Sequence, residues 1–325
     1  MRTIAIVNQK GGCGKTTTSI NLASTLAAQG DRVLIVDMDP QGHCAAGLGV
    51  PEERLDFCMA RALLSEPAGG SDPRAWLWNA AKGIHLAPSS VALAGLESAR
   101  GGLATRPDRD RRLAQMLDRL AEHFEWCVVD CPPTIGYLTF NALRAADEAL
   151  VPVETGYFAF KAAERQLASI QSLVAQMERP LAVRIVPTLH RANSQLSHDI
   201  VQAIARRHGA DSVAPAIRDH EVLREAASFG QSVVEFAPGT PAAADFEALA
   251  AWLRGRPVVP RPADRSVTAP VAPLALETGP VTIEVDGEAI PAVYGGQSNT
   301  GHGRAAELAQ RLRLGPAAHA AGETG

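Results

Sequence analysis

The stretch IAIVNQKGGCGKTTTSINLASTLAAQG, residues 4–30, decides the fold. It opens with an apolar run, Ile4 to Val7, that reads as a buried strand. It continues through KGGCGKTT, residues 10–17, into a segment from Thr16 to Gln29 whose Ile20, Ala23, Leu26 and Ala27 share one face at helical spacing. Gly30 then supplies a suitable C-terminal stop. Strand, glycine-rich loop and helix in that order build an anion site. Gly11, Gly12 and Gly14 let the backbone turn its N–H groups inward without a Cβ clash, while the helix aims its positive N-terminus at the same point. Lys15 then reaches the β and γ phosphates of a nucleotide, and Thr16 sets its hydroxyl on Mg²⁺. The general pattern GxxxxGK[ST] asks for glycine where this chain has Gln9, and a second lysine, Lys10, stands beside it.

Further along, short apolar runs alternate with longer helical stretches, which implies βα units around a parallel sheet. Val33–Val36, Cys127–Val129, Ala149–Val153 and Val183–Val186 are the strand candidates, with Ser232–Glu235 as a weaker one. The expected fold class is α/β, a mostly parallel sheet flanked by helices, with a short C-terminal extension. Periodicity supports one domain over residues 1–254. Residues 257–273 hold five prolines and almost no apolar periodicity, so 255–280 reads as a linker. In 281–325, VTIEV, Asp286-Gly287 and EAIPAVY suggest a small hairpin with Pro291 on an edge. RAAELAQRLRLG, residues 304–315, suggests one short helix before a disordered tail.

The 325 residues are 46% hydrophobic, 20% charged and 5% aromatic, a globular composition long enough to bury a core without staples. A net charge of −4 excludes a surface that is polycationic throughout, though not a local basic patch. The five cysteines form no CxxC pair, as expected for reduced thiols. No apolar run is long enough for a signal peptide or a membrane span, so the expected location is cytoplasmic.

The loop with its extra lysine resembles the variant Walker A loop of the ParA/MinD family of P-loop ATPases. VDMDPQG (36–42) is similar to the family's first switch, and VVDCPP (128–133) to its Walker B strand and second switch. GYLTFNAL (136–143), VPVETGYFAFKA (151–162) and IRDHEVLREAASFGQSVVEF (217–236) continue the likeness, the last two on the ParA branch. The resemblance covers about residues 1–254. It implies an ATPase that uses ATP and Mg²⁺, with Lys10, Gly11, Gly12, Cys13, Gly14, Lys15, Thr16 and Thr17 forming the nucleotide loop. Lys10 would reach across a sandwich homodimer to the partner's nucleotide. Asp39 would orient the attacking water, and Thr16, Asp37 and Asp130 would serve the metal.

The resemblance also implies partners. ParA proteins bind DNA without sequence preference as ATP dimers, associate with the nucleoid in that state, and are reset by a ParB-like activating protein. Arg191, Arg206, Arg207, Arg218 and Arg224 are the candidate DNA contacts, although each could equally be a solvated arginine. Relatives resembling MinD bind membrane through a C-terminal amphipathic helix instead. Here Leu308, Leu312, Arg311 and Arg313 give only a weak echo of one, without an aromatic anchor. A third alternative, an ATP-driven iron–sulfur carrier, would need thiolates near a dimer axis. Cys127 and Cys131 stand four apart on and just after a buried strand, and Cys127 reads better as a small buried hydrophobe.

Overall fold

The computed structural model describes residues 1–55, 57–65, 74, 77–98, 102–175, 177, 180–258, 282–285 and 288–291. The chain divides into two compact units, Met1–Val271 and Ala272–Gly325.

In the first unit, the chain runs β1 (Arg2–Ile6), α1 (Lys15–Ala28), β2 (Val33–Asp37), α2 (His43–Gly47), α3 (Met59–Leu64), β3 (Trp78–Ala81) and β4 (Ile84–Ala87). It continues through α4 (Ala92–Leu96), α5 (Arg112–Leu120), β5 (Trp126–Asp130), α6 (Tyr137–Ala145), β6 (Glu148–Glu154), α7 (Tyr157–Ala175) and β7 (Ala182–Thr188). Four further helices follow: α8 (Gln195–His208), α9 (Glu221–Ser228), α10 (Val233–Phe236) and α11 (Pro241–Arg254). Seven strands form one sheet in the order β3-β4-β2-β5-β1-β6-β7. All neighbours are parallel except β3, which pairs antiparallel with β4 at one edge.

The five expected strands are all present and buried through their length, apart from the ends of β1, β6 and β7, as a parallel sheet covered on both faces requires. Helix α1 is buried between the sheet and α11: Leu22 and Leu26 share a core cluster with Ile4, Ile35 and Val128 on one side and Phe246, Leu249 and Leu253 on the other. This dense packing fixes the N-terminal end of α1, and with it the loop that precedes it.

The edge hairpin β3–β4 gave no periodic signal, since each strand is four residues long and no helix separates them. Its turn depends on Gly83, at φ 81°, where a Cβ would stand 3.2 Å from the Asp31 carbonyl. Ser232–Glu235, expected as a strand, instead opens α10. Ser232 and Glu235 form a reciprocal capping box, and Val233 N donates to Asn21 Oδ1 of α1 at 2.7 Å. The S-x-x-E spacing outweighed the β-branched pair between its ends.

In the second unit, β8 (Thr282–Val285) and β9 (Glu288–Pro291) pair antiparallel with Val285 opposite Glu288, and Pro291 sits at the open end opposite Thr282. The Asp286-Gly287 turn, most of the 255–280 segment, the 304–315 helix and the tail beyond it lie outside the described residues.

Candidate functional site

Strand register creates the site. Ile6 and Asp37 both pair with Asp130, so the three central strands end at one level and set two aspartates side by side at their C-terminal edge. Both are fully buried. Burial pushes Asp37 well above the ordinary carboxylate range, the neighbouring Asp130 charge pushes it further, and N–H groups of Cys44 and Asp39 pull partly against this. Burial also raises Asp130, against the pull of Thr16, Ser19 and Lys15.

The phosphate loop rises from β1 directly in front of this pair. Gly12 and Gly14 take left-handed φ values of 74° and 87°, whereas Gly11 does not need one. A Cβ at Gly11 or Gly12 would meet nothing within 4 Å, so the backbone there leaves room for a phosphate. Thr188 Oγ1 at the end of β7 holds the Cys13 carbonyl at 2.8 Å. Cys13 is buried, its thiol 3.2 Å from the Lys10 carbonyl, and burial raises its pKa, so it acts as a small packed residue. The buried Lys15 puts Nζ 3.3 Å from the same carbonyl. Thr16 Oγ1 donates to Asp130 Oδ2 at 2.7 Å, and Ser19 Oγ lies 2.8 Å from Asp130 Oδ1. Cys44 Sγ approaches Asp130 Oδ2 at 3.5 Å, where burial and both aspartates keep it a protonated thiol. Ser19 and Cys44 were missed in the sequence. The former lies one helical turn beyond Thr16, a spacing that could have revealed it.

These donors suit a hard cation. Thr16, Asp37 and Asp130 offer oxygens around two buried carboxylates that repel each other, and a divalent ion would relieve that repulsion. Asp37 also accepts from Asp39 N at 3.0 Å and Cys44 N at 3.1 Å, so it fixes the turn that follows β2. Asp39 lies past the end of β2. Its Oδ1 accepts from Gln41 N at 3.0 Å, and its carbonyl is held by Ser89 Oγ. Lys10 is placed differently from Lys15: its ammonium is ion-paired with Glu154 at the end of β6.

Thr17 belongs to a cavity of about 460 Å³ beside the loop. Gly12, Gly14, Thr17 and Thr18 form one wall; Thr188, Leu189, Ile217 to His220, Leu223, Arg224, Ala227 and Phe246 form the rest. Leu189 is the one non-glycine residue with positive φ among the described residues, at 49°, so backbone strain falls at this cavity. A second cavity of about 300 Å³, lined among others by Thr16, His43, Gly47 and Gln231, shares Thr17, Leu223 and Ala227 with the first. Between α2 and α9, Gly49 and Gly230 meet backbone to backbone: a Cβ on Gly230 would lie 2.7 Å from Gly49 Cα. The sequence did not show these walls, because they come from loops after β7 and around α9, far from the motif.

The five arginines fare unequally. Arg218 is clamped by Asp245 at 2.6 Å, and Arg224 by Asp219 at 2.8 Å and Glu221 at 2.7 Å; both line the larger cavity. Arg191 lies 3.9 Å from Asp219, and Arg207 pairs with Glu164 at 2.7 Å. Arg206 stands exposed in the last turn of α8 beside Arg207 and His208.

Together, the parallel sheet, the glycine loop capping α1 and the Thr16–Asp130 contact define a P-loop nucleotide-binding domain with a second lysine at its rim. The AAA domain family model AAA_31 matches residues 1–183. The chromosome-partitioning ATPase Soj of Thermus thermophilus is 36% identical over 258 residues, covering 79% of this chain and 96% of the relative. The chromosome partitioning protein ParA of Caulobacter vibrioides is 34% identical over 237 residues, covering 72% and 86%. Among solved structures, cobyrinic acid a,c-diamide synthase from Mycobacterium smegmatis, with bound ATP analog and magnesium, superposes with a TM-score of 0.65 at 30% identity, covering 79% of this chain and 97% of that one. The chain belongs to the ParA/MinD-type family of P-loop ATPases.

Proposed function

We propose that this chain is a partition ATPase of ParA type: it binds Mg·ATP, dimerises through the nucleotide, holds DNA without sequence preference in that state, and is reset by a ParB-like activator. The observation that carries this reading is the pair of lysines on one loop. Lys15 is buried within the phosphate cradle, while the Lys10 side chain is 36% exposed at its rim, ion-paired with Glu154 and outside the cradle that Lys15 fills.

The loop N–H groups and Lys15 hold the β and γ phosphates, and the base and ribose lie in the larger cavity between the loop and α9. Thr16, Asp130 and the neighbouring Asp37 would hold magnesium, which would supply positive charge against the phosphate oxygens. Asp39, fixed by Gln41 N and Ser89, orients the attacking water. Loss of the γ-phosphate then removes the anion that Lys10 bridges, and the dimer separates. Hydrolysis that waits for an activator suits such a timer.

Cargo is a plasmid, a chromosome or another large body that moves over DNA. The iron–sulfur alternative is disfavoured by burial: Cys13, Cys44, Cys127 and Cys131 are fully inside, and only Cys58 is partly exposed. Among the described residues no helix is long and apolar enough to cross a membrane. The segment that resembles a membrane-binding helix lies outside them.

The deciding test uses Asp39→Ala, expected to trap the ATP dimer, mixed with random-sequence duplex DNA with ATP or ADP in a mobility-shift assay. Retardation with ATP alone, weakening as salt rises, supports the reading. A dimer seen by light scattering that leaves the DNA unshifted removes DNA as the track.

A further inference from the structure

Lys10 is fastened to the end of β6 in its own chain at two points. Its backbone N–H donates to Asn8 Oδ1 at 3.0 Å, and Asn8 Nδ2 in turn donates to the Pro152 carbonyl at 2.5 Å. Its ammonium is ion-paired with Glu154. Glu154 is itself well placed to hold a partner, because it ends β6 opposite Thr188 of β7, and Thr155 N donates to the Thr188 carbonyl at 3.2 Å. The carboxylate therefore sits on a firm strand end, while the lysine that meets it sits on a glycine loop.

This contact bears directly on dimerisation. An ammonium held by a carboxylate presents almost no net charge, so Lys10 cannot neutralise a phosphate elsewhere while Glu154 holds it. We propose that Glu154 is a positioning residue that parks Lys10 in the monomer, and that dimerisation requires Lys10 to exchange this carboxylate for the nucleotide of a second copy of the chain. The inference rests on the reading that Lys10 acts across the dimer. Both partners are about one-third exposed, at 36% and 33%, so water can solvate the separated charges and the exchange is reversible. An ion pair of this exposure biases an equilibrium by up to about fivefold. A two-fold dimer releases two of them, so the bias on dimerisation reaches about 25-fold at low salt.

The test is sedimentation velocity over a protein concentration series with Mg²⁺ and a non-hydrolysable ATP analogue. It compares the wild-type chain, Glu154→Gln, Glu154→Ala, Lys10→Ala and the Lys10→Ala/Glu154→Gln double variant. Glu154→Gln and Glu154→Ala are expected to dimerise at several-fold to about 25-fold lower concentration than wild type, with the gap closing as salt rises. Their melting midpoints and nucleotide affinity as monomers are expected to stay unchanged, which a merely structural role for Glu154 would not allow. Unchanged or weaker dimerisation in both Glu154 variants, while Lys10→Ala stays monomeric, overturns the parking role and leaves the cross-dimer reading intact. Wild-type dimerisation by Lys10→Ala overturns that underlying reading. Tightening that persists in the double variant shows that Glu154 acts without Lys10 and equally overturns the inference.

Discussion

The two ends of the central sheet handle buried charge in opposite ways. At the N-terminal end, Glu148 is fully buried but lies between two cations: Arg2 Nε donates to it at 2.7 Å and Arg184 Nε at 2.5 Å, with their guanidinium groups over Trp126 and Trp252. At the C-terminal end, Asp37 and Asp130 are equally buried and face each other, with Lys15 the cation within reach. A charge answered within the chain belongs to the architecture. Like charges left together mark the place where something from outside must complete the balance.

Three substitutions can break or sharpen that contrast. The largest effect is expected from Glu148→Gln, which leaves two arginines without their shared carboxylate; it should cost about 3 kcal/mol in urea denaturation. Nucleotide affinity per folded molecule should hold. Stability equal to wild type would mean that the N-terminal end is not an internally balanced site.

Asp37→Asn should act in the other direction. Because burial and Asp130 hold the folded pKa of Asp37 above its usual 3.8, the folded chain keeps a proton that the unfolded chain has released. That contribution is complete below 3.8 and is lost as pH rises through the folded value. Wild-type stability without Mg²⁺ should therefore fall as pH rises above 3.8. Asp37→Asn should flatten that fall, with ATP hydrolysis reduced. An equal slope in both proteins would show that the aspartates do not strain the fold.

The smallest effect is expected from Arg206→Ala, an exposed residue outside both networks: stability within about 0.5 kcal/mol of wild type. In the trapped ATP dimer, the slope of DNA affinity against salt should drop by about 1. An unchanged slope would assign Arg206 to solvent.

How much of this was legible in the sequence follows from the range of each interaction. Strands, the phosphate loop and α1 could be read because strand burial, glycine turns and helix capping are written within a few residues of one another. Asp37 and Asp130 could be marked as neighbours of the loop, but not as each other's neighbours, since that is a fact of register between β2 and β5. The same limit hid Glu154, the cavity walls after β7 and the carboxylates that occupy Arg218 and Arg224. Lys10–Glu154 and Arg218–Asp245 join segments far apart in the chain, whereas Arg224 meets Asp219 and Glu221 within its own turn, a pairing that only the helix start at Glu221 sets. Ser232–Glu235 differs in kind, since there a local capping signal competes with a β-branched pair and the cap prevails.

The meeting of Gly49 with Gly230 has a mechanical consequence. Contacts made by side chains can slip, because a rotamer change absorbs a displacement of an ångström or so. Two backbones touching through glycine have no such slack. The seam therefore ties the chain after α2 to the chain after α9, whose Leu223 and Ala227 face the cavities beside the phosphate loop. A single methyl group at position 230 would pry the seam open, because it would stand 2.7 Å from Gly49 Cα.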